Sequence, residues 1–246
     1  MELSGRQALV TGGGRGIGRA IAAALTGAGA EVMVLGRDAA PMREAVERGW
    51  AARHLVCDVT DADALRAALD RPLDVLVNNA GAVETAPIGR LDRAMWDRML
   101  GLNLTAVYEG CRAVLPGMMR RRAGRVVNIA STAGLAGYAY TAAYTAAKHG
   151  VVGLTRALAK EAATTGVTVN AVCPGYTDTG LVEQSARAAA AKTGRPADEI
   201  RAFFASANPQ RRLVQPDEVA AAVLFLCGPN SDAMNGQAIA VAGGEV

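Results

Sequence analysis

Tyr144 and Lys148 stand four residues apart, and Ser131 precedes the tyrosine by thirteen. On a helix, positions i and i+4 share a face, so a phenol and an ammonium at this spacing can meet in one small site. An ammonium beside a phenol favours the phenolate, which turns a weak acid into a usable proton donor and acceptor. Two unit charges about 4 Å apart interact by roughly 4 kcal/mol at an effective dielectric near 20. That is about three pKa units, enough to bring a tyrosine from about 10 towards neutrality. The spacing alone is also that of an ordinary surface-helix contact. The elements that would position the trio therefore decide its meaning.

Short apolar, β-rich runs alternate with longer Ala/Leu/Arg-rich stretches along the chain. Strands are predicted at Gln7–Thr11, Glu31–Leu35, Arg53–Cys57, Val75–Val77, Val126–Ala130, Val167–Val172 and Ala238–Val241. Continuous hydrophobicity, rather than strict alternation, fits strands covered on both faces. The β-α-β-α rhythm predicts one doubly wound, parallel α/β domain over residues 1–246, with about seven strands and helices on both faces. The polar stretch 176–212 interrupts this rhythm and reads as a substrate lid. It carries six basic residues from position 183 onward (Arg187, Lys192, Arg195, Arg201, Arg211, Arg212) against Glu183, Asp198 and Glu199. That excess could attract a phosphate-bearing arm, or be an ordinary solvated face. Phe203 and Phe204 read as lid packing.

After the first predicted strand comes Thr11-Gly12-Gly13-Gly14-Arg15-Gly16-Ile17-Gly18. A glycine-rich turn feeding a helix N-terminus offers free N–H groups and a positive dipole end to a pyrophosphate. The spacing is T-G-x-x-x-G-x-G, wider than G-x-G-x-x-G. The second strand ends Leu35-Gly36-Arg37-Asp38. An acid there would accept from a ribose 2′-hydroxyl, whereas an arginine would pair with a 2′-phosphate. Arg37, seconded by Arg15, favours NADP(H); Asp38 keeps NAD(H) open.

The rest of the composition excludes other classes. A formal net charge of +3 with 20% charged residues, and no basic stripe interleaved with aromatics, gives no nucleic-acid surface. The Arg120-Arg121-Arg122 run reads as a solvated helix end. No apolar run approaches the roughly 18 residues of a membrane span, and the N-terminus lacks a signal peptide's pattern. Cys57, Cys111, Cys173 and Cys227 are scattered and suit no zinc spacing, so buried reduced thiols, no metal and a cytoplasmic location are expected. His149, directly after Lys148, points off its face.

Four further segments follow in order: Asn78-Asn79-Ala80-Gly81, Asn103, Ser131 and Pro174-Gly175. With the glycine turn and Tyr144-x-x-x-Lys148, the chain resembles the short-chain dehydrogenase/reductase family over essentially its whole length. The resemblance implies a Rossmann-like fold and an NAD(P)-dependent interconversion of a ketone and a secondary alcohol. It implies that Ser131 holds the substrate oxygen and that Tyr144 exchanges its proton. Lys148 would lower the tyrosine pKa and bind the nicotinamide ribose, and Asn103 would anchor a water leading to solvent. Gly12, Gly14, Arg15, Gly16, Ile17 and Gly18 would hold the pyrophosphate region. Asp58 and Val59 would meet the adenine, while Asn79, Ala80 and Gly81 would line the cofactor. Pro174, Gly175, Thr177 and Thr179 would shape the nicotinamide pocket.

Within that family, the segments Arg125–Ser131, His149–Gly153, Asn170–Gly175 and Arg212–Pro216 look like β-ketoacyl reductases and aromatic polyketide ketoreductases. A 3-oxoacyl or 3-hydroxyacyl thioester, on coenzyme A or acyl carrier protein, is the substrate so implied. Thr165 stands where a carrier-docking base is usual, although Arg122 matches the other docking position; this leans towards coenzyme A or a free, including cyclic, ketone. Val241-Ala242-Gly243-Gly244 departs from the usual V-D-G-G. The family also implies a homotetramer. A non-catalytic nucleotide-sensing protein and a Rossmann-like methyltransferase are the alternatives; neither requires Ser131, Tyr144 and Lys148 together.

Overall fold

The strands form where Val, Ile and Leu run uninterrupted, because such runs stay dry only when both faces are covered. In the computed structural model, which describes residues 3–246, they are β1 (Gln7–Thr11), β2 (Glu31–Gly36), β3 (Arg53–Val56), β4 (Val75–Asn78), β5 (Gly124–Ile129), β6 (Val167–Pro174) and β7 (Ala238–Val241). They pair in the order β3-β2-β1-β4-β5-β6-β7, all parallel. The helices are α1 (Gly16–Gly27), α2 (Ala39–Glu47), α3 (Ala62–Leu69), α4 (Arg93–Leu100), α5 (Ala106–Arg121), α6 (Ala142–Ala162), α7 (Gly180–Thr193), α8 (Ala197–Ala207) and α9 (Pro216–Cys227).

Alternation along each strand feeds two cores. Leu9, Leu76, Val126 and Val169 pack against α3, α5 and α6. Val10, Val77 and Val127, the next residues along their strands, and Val172, which lies between Ala171 and Cys173 of the first core, pack against α1 and α9. The predicted architecture of seven parallel strands between helical layers is the observed one. Its boundaries shift where glycine or proline hid a strand end. β5 starts at Gly124, two residues early, and β6 runs on to Pro174, because low β-propensity is overridden by pairing with a neighbouring strand, Gly124 with Val167 and Pro174 with Val241. β2 and β4 each gain one residue, and β3 stops at Val56.

Strand order reverses between β1 and β4, which opens a crevice at the C-terminal ends of the strands. A buried polar chain ties one wall together. Asn78 Nδ2 donates to Asn128 Oδ1 at 2.9 Å, and Asn128 Nδ2 to Thr155 Oγ1 at 2.9 Å. This link fixes α6 against β4 and β5. Between α4 and α5 the helix widens to a π-helical segment, Gly101–Thr105, a feature frequent at functional sites. Among the described residues, no helix is long and apolar enough to cross a membrane.

Candidate active site

Ser131 lies just past β5 with an extended backbone (φ −176°), and its hydroxyl accepts from Ala133 N at 3.1 Å. Tyr144 and Lys148 project from the first turns of α6. Ser131 lies near enough to the Tyr144 phenol to act on its pKa and Lys148 Nζ sits over its ring, so the structure brings the three predicted residues together. Lys148 is only 4% exposed; Nζ donates to Ile129 O at 2.8 Å and sits 5.6 Å from the centre of the Tyr144 ring. Burial pushes the phenol above its ordinary pKa, and nearby Ser131 only partly offsets this. Burial lowers Lys148 to about 8, against a small opposing effect of Cys173.

The expected phenolate-favouring charge is therefore corrected for this state. The ammonium faces the ring and a carbonyl, and desolvation works against both charges. Helical spacing gave the shared face; it could not give the burial.

The glycine turn is built by contacts to β4. Thr11 Oγ1 accepts from Asn79 N at 2.9 Å and Ala80 N at 3.0 Å, while Asn79 Nδ2 donates to Thr11 O at 2.9 Å. Gly12 and Gly16 have φ of +66° and +52°, a region that favours glycine. A methyl at Gly18 would come within 2.3 Å of Gly12 O. α1 begins without a side-chain cap, which leaves its first N–H groups open to an anion. Thr179, which precedes α7, closes over this turn, its methyl 3.1 Å from where Gly16 would carry a Cβ. Gly14 packs on α2 through Met42, and Ile17 packs against the α1–α9 core.

At the end of β2, Asp38 caps α2 by accepting from Ala40 N at 3.1 Å, and it also pairs with Arg15. Arg37 is largely exposed, 4.0 Å from Asp58 Oδ2. Asp58 accepts from Thr60 N and Oγ1 at 2.9 and 2.8 Å; these bonds, more than Arg37, hold its carboxyl below the usual range. The ribose corner thus holds two arginines beside an acid already engaged. Val59 is buried next to it. A dinucleotide with a 2′-phosphate fits this donor set, and the open glycine turn fits its pyrophosphate.

Asn103 lies inside the π-helical segment, fully buried. Its Nδ2 donates to Ala82 O and Met99 O, both at 3.0 Å, and its Oδ1 accepts from Ala82 N at 3.3 Å. The side chain is thus committed to holding the Gly81–Ala82 backbone. A methyl at Gly81 would meet Asn103 Oδ1 at 2.9 Å and Lys148 Nζ at 3.7 Å, so this glycine lets the two approach. On the opposite wall, Gly175 N donates to Val241 O, and Thr177 Oγ1 to Gly175 O at 3.0 Å.

The charge of the 176–212 stretch is the second correction. Arg187 pairs with Glu183, Arg195 with Glu199, Arg201 with Asp178, and Arg212 doubly with Glu218 at 2.6 Å. Four of the six cations are neutralised by partners that a charge count cannot see. The Lys192 side chain lies outside the described residues. Phe204 stacks on Tyr176 with centroids 4.6 Å apart, as lid packing; Phe203 is 62% exposed. His149 points outward, its Nδ1 near Thr145 O. Arg121 and Arg122 donate to Leu73 O and Thr164 O, so that helix end is tied down rather than merely solvated. The four cysteines are free and buried. Among the described residues, no three His, Cys, Asp or Glu side chains gather as a metal set.

Sequence reasoning missed Tyr138 and Glu245. The Tyr138 phenol donates to Glu245 Oε1 beside Gly175. An acid directly after Gly243-Gly244 was the only available signal. A cavity of about 510 Å³ lined by Arg6, Asp74, Arg122, Arg125 and Asp232 lies at the opposite, N-terminal end of the sheet, far from this chemistry.

Residues 6–190 match the family model described as short chain dehydrogenase, and the chain belongs to that family. It is an oxidoreductase of the class acting on a CH–OH group with NAD(P). The chain is 39% identical to the 3-oxoacyl-[acyl-carrier-protein] reductase FabG of Vibrio harveyi, with 99% of this chain and 98% of the relative covered. It is also 39% identical to the D-beta-hydroxybutyrate dehydrogenase of Cupriavidus necator, with 91% of each covered. The structure of a single-substitution variant of actinorhodin polyketide ketoreductase with NADPH superposes with a TM-score of 0.93 at 37% identity, covering 98% of this chain and 97% of that one.

Proposed function

We propose that the protein is an NADP(H)-dependent ketoreductase that interconverts a 3-oxoacyl and a 3-hydroxyacyl thioester on coenzyme A or acyl carrier protein. The observation that carries this reading is the Ser131–Tyr144–Lys148 cluster at the end of β5, across the crevice from the open glycine turn. Bound at that turn, the nicotinamide cofactor supplies or accepts the hydride. Ser131 holds the substrate oxygen and stabilises its developing charge. Tyr144 donates the proton to that oxygen in reduction and takes it back in oxidation. Lys148, buried against Ile129 O and the Tyr144 ring, holds the tyrosine in place and reaches towards the nicotinamide ribose.

Gly12, Gly14, Arg15, Gly16, Ile17 and Gly18 hold the pyrophosphate region. Arg37 and Arg15 receive the 2′-phosphate, and Asp58 with Val59 borders the adenine. Asn79, Ala80 and Gly81 line the central crevice, with Asn103 fixing that loop near the proton path. Pro174, Gly175, Thr177 and Thr179 form the nicotinamide wall, and residues 176–212 act as its lid. A cytoplasmic homotetramer is the assembly that the family resemblance supports.

Reduction of a cyclic or other non-thioester ketone is the second reading. It is favoured by the internal pairing of the lid cations, which removes the expected phosphate attraction. The test is an absorbance assay at the NAD(P)H band with acetoacetyl-CoA, longer 3-oxoacyl-CoAs, a 3-oxoacyl carrier protein and cyclic ketones, each with both cofactors. NADPH oxidation fastest on the thioesters supports the first reading. Turnover of the cyclic ketones alone supports the second, and no turnover with any ketone overturns both.

A further inference from the structure

Glu245 places a carboxylate where two strand ends of the site converge. Its Oε1 accepts from the Tyr138 phenol, which follows Ser131 by one short loop. Its Oε2 is buried, has no hydrogen-bond partner, and lies 2.7 Å from where Gly175 would carry a Cβ. Among the described residues, no lysine or arginine pairs with this carboxylate. The Tyr138–Glu245 pair therefore bridges the Ser131 end of β5 and the Gly175–Tyr176 end of β6, the two walls between which a substrate carbonyl must enter. Tyr176, stacked on Phe204 of the lid, closes the same space. The field of the carboxylate is felt there: besides burial, Glu245 raises Tyr176, and Tyr176 in turn raises Tyr144.

A buried polar atom without a partner is uncommon and asks for an explanation. A negative group held in a crevice without a counter-cation also repels any second negative group entering it. We infer that Glu245, oriented by Tyr138, is a specificity-determining residue that admits neutral ketones and turns away keto acids with a free carboxylate beside the reacting carbonyl. A thioester is neutral at that position and passes; the corresponding free acid does not. The glycine at position 175 makes this possible, because any side chain there would displace the carboxylate. This inference rests on the ketoreductase reading and narrows its substrate class.

The test compares acetoacetamide with acetoacetate, which are close in shape but differ by one charge, alongside the acetoacetyl thioester of N-acetylcysteamine. Each small ketone is read as a substrate with NADPH or as a competitive inhibitor of thioester reduction, so a preference ratio is defined either way. The wild type is expected to prefer the amide. Glu245→Gln should shrink the amide-to-acid ratio by about tenfold, mainly through KM or Ki of the acid. Tyr138→Phe keeps the charge but releases Glu245 Oε1, and should give a ratio between those of the wild type and Glu245→Gln; a ratio as low as that of Glu245→Gln would mean that the charge alone does not set the preference. An unchanged ratio in Glu245→Gln, or an equal change for both ketones, would overturn the inference while leaving the ketoreductase reading intact. Failure of the wild type to reduce even the thioester would overturn that reading and the inference with it.

Discussion

Lys148 Nζ lies 2.8 Å from Ile129 O and faces the centre of the Tyr144 ring at 5.6 Å. The lysine thus braces the tyrosine through the ring and the end of β5, while Ser131 stands beside the phenol and works against its upward shift. On the proposed reading, Tyr144 is the group whose hydroxyl exchanges a proton with an oxygen held by Ser131. Tyr144→Phe removes that hydroxyl and little else. Turnover should fall by about 10²–10⁴-fold, the usual span of general acid–base catalysis, with NADPH affinity nearly unchanged by fluorescence titration. Near wild-type turnover would refute the assignment. Ser131→Ala should act in the same direction, more mildly.

The buried ammonium also predicts a pH signature. Lys148 is lowered to about 8 in the fold, against an ordinary value of 10.5. Between those values the unfolded chain binds more protons than the folded one, so stability contributed by this site rises with pH from about 8 to about 10.5. Lys148→Met lacks that titration. Urea unfolding from pH 7 to about 10.5 should show the wild type gaining up to about 3 kcal/mol relative to the variant over that window. A constant difference would mean that the lysine is not desolvated.

Much of this site was legible because it depends on local rules. The i, i+4 spacing marks a shared helix face, and glycines mark positions where a Cβ would collide, as Gly18 would with Gly12 O. What stayed hidden depends on meetings far apart in the chain. Tyr138 and Glu245 are separated by 107 residues and touch because β5, β6 and β7 lie side by side, with Tyr138 following β5 and Glu245 following β7. The π-helical segment around Asn103 has no periodicity of its own over five residues. The sign of the Tyr144 shift depends on burial, which spacing does not carry.

Gly18 gives a backbone prediction. The methyl of Gly18→Ala would approach Gly12 O to 2.3 Å and Asn79 Nδ2 to 2.4 Å. The oxygen belongs to the turn itself and cannot yield without opening it. The variant should lose about 1–3 kcal/mol of stability, as overpacking does, and bind NADPH far more weakly. Full retention of NADPH affinity in a titration would show that the turn does not hold the cofactor.

The ribose corner predicts cofactor choice. Asp38 is engaged by Ala40 N and Arg15, and Asp58 by Thr60, whereas Arg37 points largely into solvent. Arg37 is therefore the cation most free to meet a 2′-phosphate. Arg37→Gln should lower kcat/KM for NADPH by about tenfold or more, the worth of one charge-assisted contact, and leave NADH nearly unchanged. Equal losses with both cofactors would place Arg37 outside the phosphate site.

Arg212 and Arg211 adjoin in sequence but should behave differently. Arg212 forks onto Glu218, whose Oε2 also accepts from Gln215 N at the start of α9 and whose pKa is lowered to about 2. The pair closes the base of the lid onto α9 and leaves no free donor fork for a thioester phosphate. Both side chains are about half exposed, so solvent screening leaves the pair a small contribution to stability. Arg212→Ala should therefore lower the urea midpoint slightly and change KM for acetoacetyl-CoA and for a small neutral ketone alike. Arg211, with φ of +58° and no ion pair among the described residues, keeps its charge available. If the lid recognises a phosphate, Arg211→Glu raises KM for acetoacetyl-CoA selectively. The same KM for both substrates in Arg211→Glu would leave the lid with no electrostatic role in choosing its substrate.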